Sequence, residues 1–136
     1  MTTVKVLSLI LIIMLSLLAC GCTQPAAPPS GSSTSYTDVT PAEAKTLIDT
    51  HPDLVIIDVS PYYDRGHLPG AISIPVSALS SRLPDLDRTR PYLVYCHGDA
   101  PSIQGATTLV NAGFSPVYRL KGNYAAWVSA GYKVEM

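Results

Sequence analysis

Cysteine is scarce in this chain. There are three in 136 residues, and two of them, Cys20 and Cys22, close an apolar N-terminal run. Cys96 stands alone in the remainder. A lone cysteine cannot close an intradomain disulfide, so a disulfide-stapled secreted scaffold is excluded. Charge is scarce too. Charged residues make up 14% of the chain and the net charge is −1, which gives no electrostatic reason to expect nucleic acid or an anionic membrane surface as a partner. The three histidines, His51, His67 and His97, are scattered, and no second cysteine lies near Cys96. That pattern lacks metal-ligand spacing. No internal repeat is visible, and the length suffices for one domain.

The one long hydrophobic run lies at the start. Lys5 is the only charged residue before Asp38, and from Val6 to Ala19 the chain is apolar apart from Ser8 and Ser16. A spanning helix needs about 20 apolar residues. This run is shorter, has a weak positive start and ends in small residues, as an export signal does. Leu17-Leu18-Ala19-Cys20 resembles the lipobox of exported lipoproteins, in which the cysteine becomes the lipid-bearing N-terminus. Cys20 is favoured because Leu17 then lies three residues before it; Cys22 is the competing site. Residues 23–35 are Thr, Gln, Pro, Ala, Ser and Gly, with no charge and almost no apolar bulk. Such a segment cannot bury enough surface to offset the entropy of ordering, so a flexible tether is expected. The expected organisation is an export signal over 1–20, a linker over 21–35 and a folded domain over 36–136. That places the domain outside the cytoplasm, held to the membrane by its N-terminus.

In the folded part, Thr40-Pro41-Ala42-Glu43 is a capping-box pattern with proline at the first helical position. Ala44, Leu47 and Ile48 then share a helical face. Leu54 to Ile57 is a continuous apolar run, the mark of a strand buried on both faces, and it ends at Asp58. A turn-rich connection from Pro61 to Gly70 follows, then a short strand over Ala71 to Ile74. Val76 to Leu83 reads as one or two helical turns, and Tyr92 to Tyr95 as the next buried strand. A helical stripe is expected from Ser102, stopped at Gly113. Pro116 to Leu120 reads as a strand, and a last helix runs from Gly122-Asn123 to Gly131. Strands alternating with helices predict an α/β domain with a mostly parallel sheet. Ligands of such sheets sit beyond the carboxyl ends of the strands. Cys96 is at that edge, and Asp58 is expected there as well.

Between the strand end at Cys96 and the helix expected from Ser102 lie His97, Gly98, Asp99, Ala100 and Pro101. A loop from a strand end to a helix start gathers backbone N–H groups around one point. A thiol in such a setting is biased toward thiolate, the nucleophilic form. His97 is read as structural to the loop, Ser102 as the helix N-cap, and His67 as a hydrogen-bonding residue of its turn. Asp58 is expected to fix the neighbouring loops, His51 to lie at an exposed helix end and Trp127 to be core.

Asp58-Val59, Gly66-His67-Leu68-Pro69-Gly70-Ala71, Tyr92 to Cys96, Ala112-Gly113-Phe114 and Val117 to Trp127 occur in this order and spacing. In that combination the chain resembles a single-domain rhodanese over roughly 39–134. The resemblance implies a five-stranded, mostly parallel sheet flanked by helices on both faces. It also implies a sulfurtransferase in which Cys96 takes a sulfane sulfur from a small donor and passes it to a thiol, a protein or another nucleophile. His97 to Ser102 would form the anion cradle, and no cofactor is implied. Three departures stand out. The family's loop often carries a cation, whereas Asp99-Ala100-Pro101-Ser102 has none and adds a carboxylate, so an anionic donor such as thiosulfate is expected to be poor. Ser60 stands where Arg often follows Asp-Val. The segment from Asp58 to Gly66 is short, and Arg65 is the candidate replacement charge. Related cysteine phosphatases need Arg six residues after the cysteine; Ser102 occupies that position.

The leader reading is checked by lipid labelling in a lipoprotein-processing host. Wild type is expected to incorporate radiolabelled lipid and Cys20→Ala to lose it, whereas equal labelling assigns Cys22.

Overall fold

The computed structural model describes residues 35–136. The leader and its two cysteines lie outside them, as does all of the linker but Ser35. Five strands form one parallel sheet: β1 (Thr37–Val39), β2 (Val55–Asp58), β3 (Ile72–Ser73), β4 (Tyr92–Tyr95) and β5 (Val117–Leu120), in the order β1-β5-β4-β2-β3. Three α-helices connect strands, α1 (Pro41–Thr50), α2 (Val76–Arg82) and α3 (Asp99–Asn111), and α4 (Asn123–Ser129) follows β5. Short 3-10 turns occur at Tyr63–Arg65 and Leu83–Asp85. Among the described residues no helix is long and apolar enough to cross a membrane.

The α/β architecture expected from the alternating pattern is the one observed. The capping box forms as read: Thr40 Oγ1 accepts from the Glu43 N–H, and Glu43 Oε2 accepts from the Thr40 N–H at 2.7 Å. β1 escaped the element-by-element reading because it is a three-residue edge strand with two exposed positions. It is recruited by pairing with β5, with Val39 opposite Leu120.

β4 is central and buried at all four residues, which explains its unbroken apolar sequence. Alternation along the strands sorts the core onto the two faces of the sheet. Ile57, Val59, Tyr92, Val94 and Cys96 pack with Leu109, Phe114 and Leu79 on the α2–α3 face. Ile56, Leu93, Tyr95 and Leu120 pack with Ala44, Leu68 and Trp127 on the α1–α4 face. Gly105 lets α3 lie close to the sheet; a Cβ there would meet Val59 and Val94 side-chain atoms at 3.1 and 3.2 Å.

The turn-rich stretch of 61–70 is tied down at its C-terminal end. The Leu68 N–H donates to the Tyr95 hydroxyl at 3.0 Å, and His67 pairs through its backbone with Glu135. His67 stacks on Tyr63 at 3.8 Å and its Nδ1 lies 3.2 Å from the Tyr63 carbonyl, the structural role expected of it. Trp127 is buried and donates from Nε1 to the Lys133 carbonyl, and His51 is exposed at the α1 C-terminus.

Gly66 and Gly70 both have positive φ, 122° and 76°, but only Gly66 is crowded: a Cβ there would overlap the Tyr124 hydroxyl. Urea denaturation should therefore separate two alanine variants. Gly70→Ala should lose about 1 kcal/mol from backbone strain alone. Gly66→Ala should lose about 2–3 kcal/mol, because strain adds to displacement of Tyr124.

Candidate active site

Cys96 directly follows β4 and is 3% exposed. The backbone holds it from both sides. Its N–H donates to Asn123 Oδ1 at 3.2 Å, and its carbonyl accepts from the Tyr124 N–H at 3.0 Å. Asn123 opens α4 at φ 57°, a left-handed conformation that Asn adopts more readily than most residues. Gly122, at φ 75°, precedes it. The Gly122-Asn123 turn thus aims an amide side chain at the Cys96 backbone.

The connection after Cys96 is shorter than the sequence suggests. The helix expected from Ser102 starts at Asp99, with Gly98 as its extended N-cap. Ser102 is therefore not the cap but lies inside the first turn, fully buried, donating from Oγ to the Asp99 carbonyl at 2.9 Å. Pro101 caused the misplacement: it reads as a breaker, yet at the third helical position its missing N–H has no intrahelical partner to lose. Among the described residues the N–H groups of His97 and Gly98 find no hydrogen-bond acceptor. Those of Asp99 and Ala100 have no intrahelical acceptor either. Four backbone donors and the positive end of a thirteen-residue helix thus lie immediately after the sulfur-bearing residue.

His97 does not act as part of a hydrogen-bonded pair. Its ring stacks on Tyr124 at 4.5 Å and meets the edge of Tyr62 at 5.7 Å, and its Nε2 is buried without a partner. This fits the loop-structural reading. Tyr62 is brought over by the second loop. There Asp58 Oδ1 accepts from the Ser60 N–H at 2.8 Å, and Ser60 Oγ accepts from the Tyr62 N–H at 3.1 Å. Ser60, where the resemblance leads one to look for arginine, is thus a turn-former. Asp58 is fully buried on the Tyr95 side of the sheet, opposite Cys96, so it supports the loop without a hydrogen bond to the site. Tyr95 beside it is held neutral: burial, chiefly, pushes its hydroxyl well above the usual tyrosine range. Arg65 is exposed and lies over the Tyr62 ring at 4.8 Å, one aromatic ring removed from His97.

The residue the sequence reading missed is Arg119. The loop itself carries no cation, as read, but β5 delivers one from beneath. Arg119 is opposite Val94 in register and is 6% exposed. Its Nε and Nη2 donate to Asp38 Oδ1 and Oδ2 at 2.7 and 2.8 Å. Its Nη1 donates to Asp99 Oδ1 at 3.0 Å and to Ser102 Oγ at 3.3 Å. Asp99 Oδ1 also accepts from Asn123 Nδ2 at 2.8 Å. A chain of hydrogen bonds therefore runs Asp38–Arg119–Asp99–Asn123–Cys96. The Arg119 hydrogen bond holds the Asp38 carboxyl below its ordinary value, and Asp38 in turn raises the guanidinium above its own. One sequence signal pointed there: a charged residue inside an otherwise apolar strand, sharing the parity of Val117.

The rhodanese-like domain family matches residues 40–130. The chain belongs to this family. Among curated rhodanese-like relatives it is 32% identical over 94 residues to thiosulfate sulfurtransferase GlpE of Coxiella burnetii, covering 68% of this chain and 87% of that protein. It is 26% identical over 93 residues to a sulfurtransferase of Allochromatium vinosum, covering 67% and 86%. The Alr3790 protein of Anabaena superposes with a TM-score of 0.67 at 33% identity, over 71% of this chain and 81% of that one. A thiosulfate sulfurtransferase of Pseudomonas aeruginosa also gives 0.67, at 31% identity, over 74% of this chain but only 20% of its own length. The fold is thus rhodanese-like, and the family-level activity is sulfur transfer.

Asp38 contributes stability only while ionised. Because its folded-state pKa is lowered, that contribution is complete above the ordinary carboxylate value of 3.8 and is lost as pH falls through the lower folded value. Asp38→Asn should cost about 1–2 kcal/mol at pH 7, discounted because the Asp38 side chain is 42% exposed. The difference between wild type and variant should hold down to the ordinary carboxylate value of 3.8 and shrink only as pH falls below it, read in acid-titrated thermal melts.

Proposed function

We propose that this rhodanese-like protein carries a sulfane sulfur as a persulfide on Cys96 and works outside the cytoplasm, tethered by an N-terminal lipid. The observation that carries the first part is the position of Cys96 at the carboxyl end of the central strand, directly before four uncommitted backbone N–H groups. The lipobox-like ending at Cys20, with Cys22 as alternative, is the support for the second.

In the loading half-reaction the Cys96 thiolate attacks the outer sulfur of a donor R–S–S–H. A new sulfur–sulfur bond forms as the donor's breaks, and the thiolate R–S⁻ leaves, giving Cys96–S–SH. In the unloading half-reaction an acceptor thiolate attacks that outer sulfur, the Cys96 thiolate is regenerated, and the acceptor leaves as a persulfide. No net oxidation or reduction occurs across the cycle. The chain's own groups have two tasks. The N–H groups from His97 to Ala100 hold the negative sulfur in both half-reactions, a fixed-dipole role that needs no reorganisation. The clamp of Asn123 and Tyr124 on the Cys96 backbone keeps the sulfur aligned with those donors. Burial of Cys96 limits competing oxidation of the persulfide.

Incubation with a persulfide or polysulfide donor, followed by intact mass, should add one sulfur, about 32 Da, to wild type and none to Cys96→Ser. A wild-type chain that gains no sulfur from any donor overturns the reading and leaves a binding module on the same fold.

A further inference from the structure

We propose that Asp99 determines substrate charge at the Cys96 site, and that the site selects thiols and persulfides bearing an ammonium group beside their sulfur. The sulfur-transfer step rests on the function proposed above; the charge selection rests on geometry.

Arg119 is the cation built into the cradle, and it is already spent. Of the five N–H groups of a guanidinium, four are committed, to Asp38, Asp99 and Ser102. Only one N–H, on the Nη2 already bonded to Asp38, is left for an anionic donor. Asp38 and Asp99 against Arg119 leave one negative charge over, and it falls outward, because the Asp99 side chain is 68% exposed against 42% for Asp38.

Asp99 is also held still. Both of its internal hydrogen bonds, from Arg119 and Asn123, end on Oδ1. No hydrogen bond among the described residues reaches Oδ2. A fixed carboxylate therefore offers an unused oxygen at the first residue of α3, two hydrogen bonds away from the Cys96 N–H. The exposed cations nearby do not cancel it: Arg65 lies over Tyr62, and Lys121 acts on Asp38. An aminothiol persulfide would set its ammonium on Oδ2 and its outer sulfur at Cys96. Attack by the Cys96 thiolate then breaks the donor's sulfur–sulfur bond and releases the aminothiol, with no further reactant.

The test measures charge selection without sulfur transfer, so it stands even if no persulfide forms. Full-length protein is treated with methanethiosulfonates of similar size carrying a cationic, neutral or anionic ethyl group. Each transfers its thioalkyl group to a thiolate and expels methanesulfinate. Labelling of the Cys96 peptide is followed by mass spectrometry, and each rate is divided by that of the same reagent with 2-mercaptoethanol. Wild type should favour the cationic over the anionic reagent by about tenfold at low salt, falling toward parity at 1 M salt. Asp99→Asn, which keeps an Oδ1 acceptor for Arg119 and Asn123 but removes the charge, should bring the ratio to about one. Asp99→Glu should keep most of the preference, and Asp49→Asn, on α1 across the sheet, should leave it unchanged. Cysteamine should likewise outcompete 3-mercaptopropionate as sulfur acceptor in wild type only. A wild-type ratio near one at low salt, a ratio unmoved by Asp99→Asn, or no labelling by any reagent overturns the proposal. The wild-type ratio and its salt dependence decide the matter even if Asp99→Asn fails to fold.

Discussion

A buried guanidinium must be satisfied, and much of this site follows from how Arg119 is. β5 carries it on the same face of the sheet as Val94 and Cys96, where its charge is nearly removed from water. An unpaired cation there would be costly. The bidentate bond to Asp38 ties the edge strand β1 to β5, and the bond to Asp99 ties the start of α3 to the sheet. Through Asn123 the same carboxylate reaches the backbone of Cys96. Edge strand, helix start and the Cys96 backbone are thus held through one cation.

The arrangement separates two jobs that a positive residue could otherwise do at an anion-binding loop. Holding the loop in place needs hydrogen bonds; attracting an anion needs uncommitted charge. Here Arg119 supplies the first, and its carboxylate partners remove the second. What remains for a negative sulfur is the set of backbone N–H groups at the start of α3, partial charges that act at short range. Anchoring of the loop and the charge that it presents are therefore carried by different atoms.

A second set of contacts closes the site from the other side. Asp58 and Ser60 form successive side-chain turns that bring Tyr62 to the edge of His97, and His97 lies flat on Tyr124. Tyr124 in turn lies against Gly66, where only a glycine leaves room. The Gly-His-Leu-Pro-Gly turn and the cysteine loop are far apart in sequence, yet they meet through these rings. Directly after Cys96, the His97 ring thus serves as a stacking surface between the two loops.

The sequence by itself determined the layer architecture and singled out Cys96 at the carboxyl edge of the sheet. Apolar runs at Val55–Ile57 and Tyr92–Tyr95, the Thr40–Glu43 capping box and the glycine stops at Gly113 and Gly131 are local signals, and local hydrogen bonding and burial enforce them. Tertiary structure decided the rest. β1 exists because β5 pairs with it. The start of α3 fell three residues early because Pro101 costs nothing at the third helical position. Above all, the charge of the cradle could not be read from the Cys96 loop, since its cation comes from a strand more than twenty residues away and its counter-charge from the opposite end of the domain. Charge in a folded site is a sum over space, and neighbours in space are set by strand order, which no local pattern encodes.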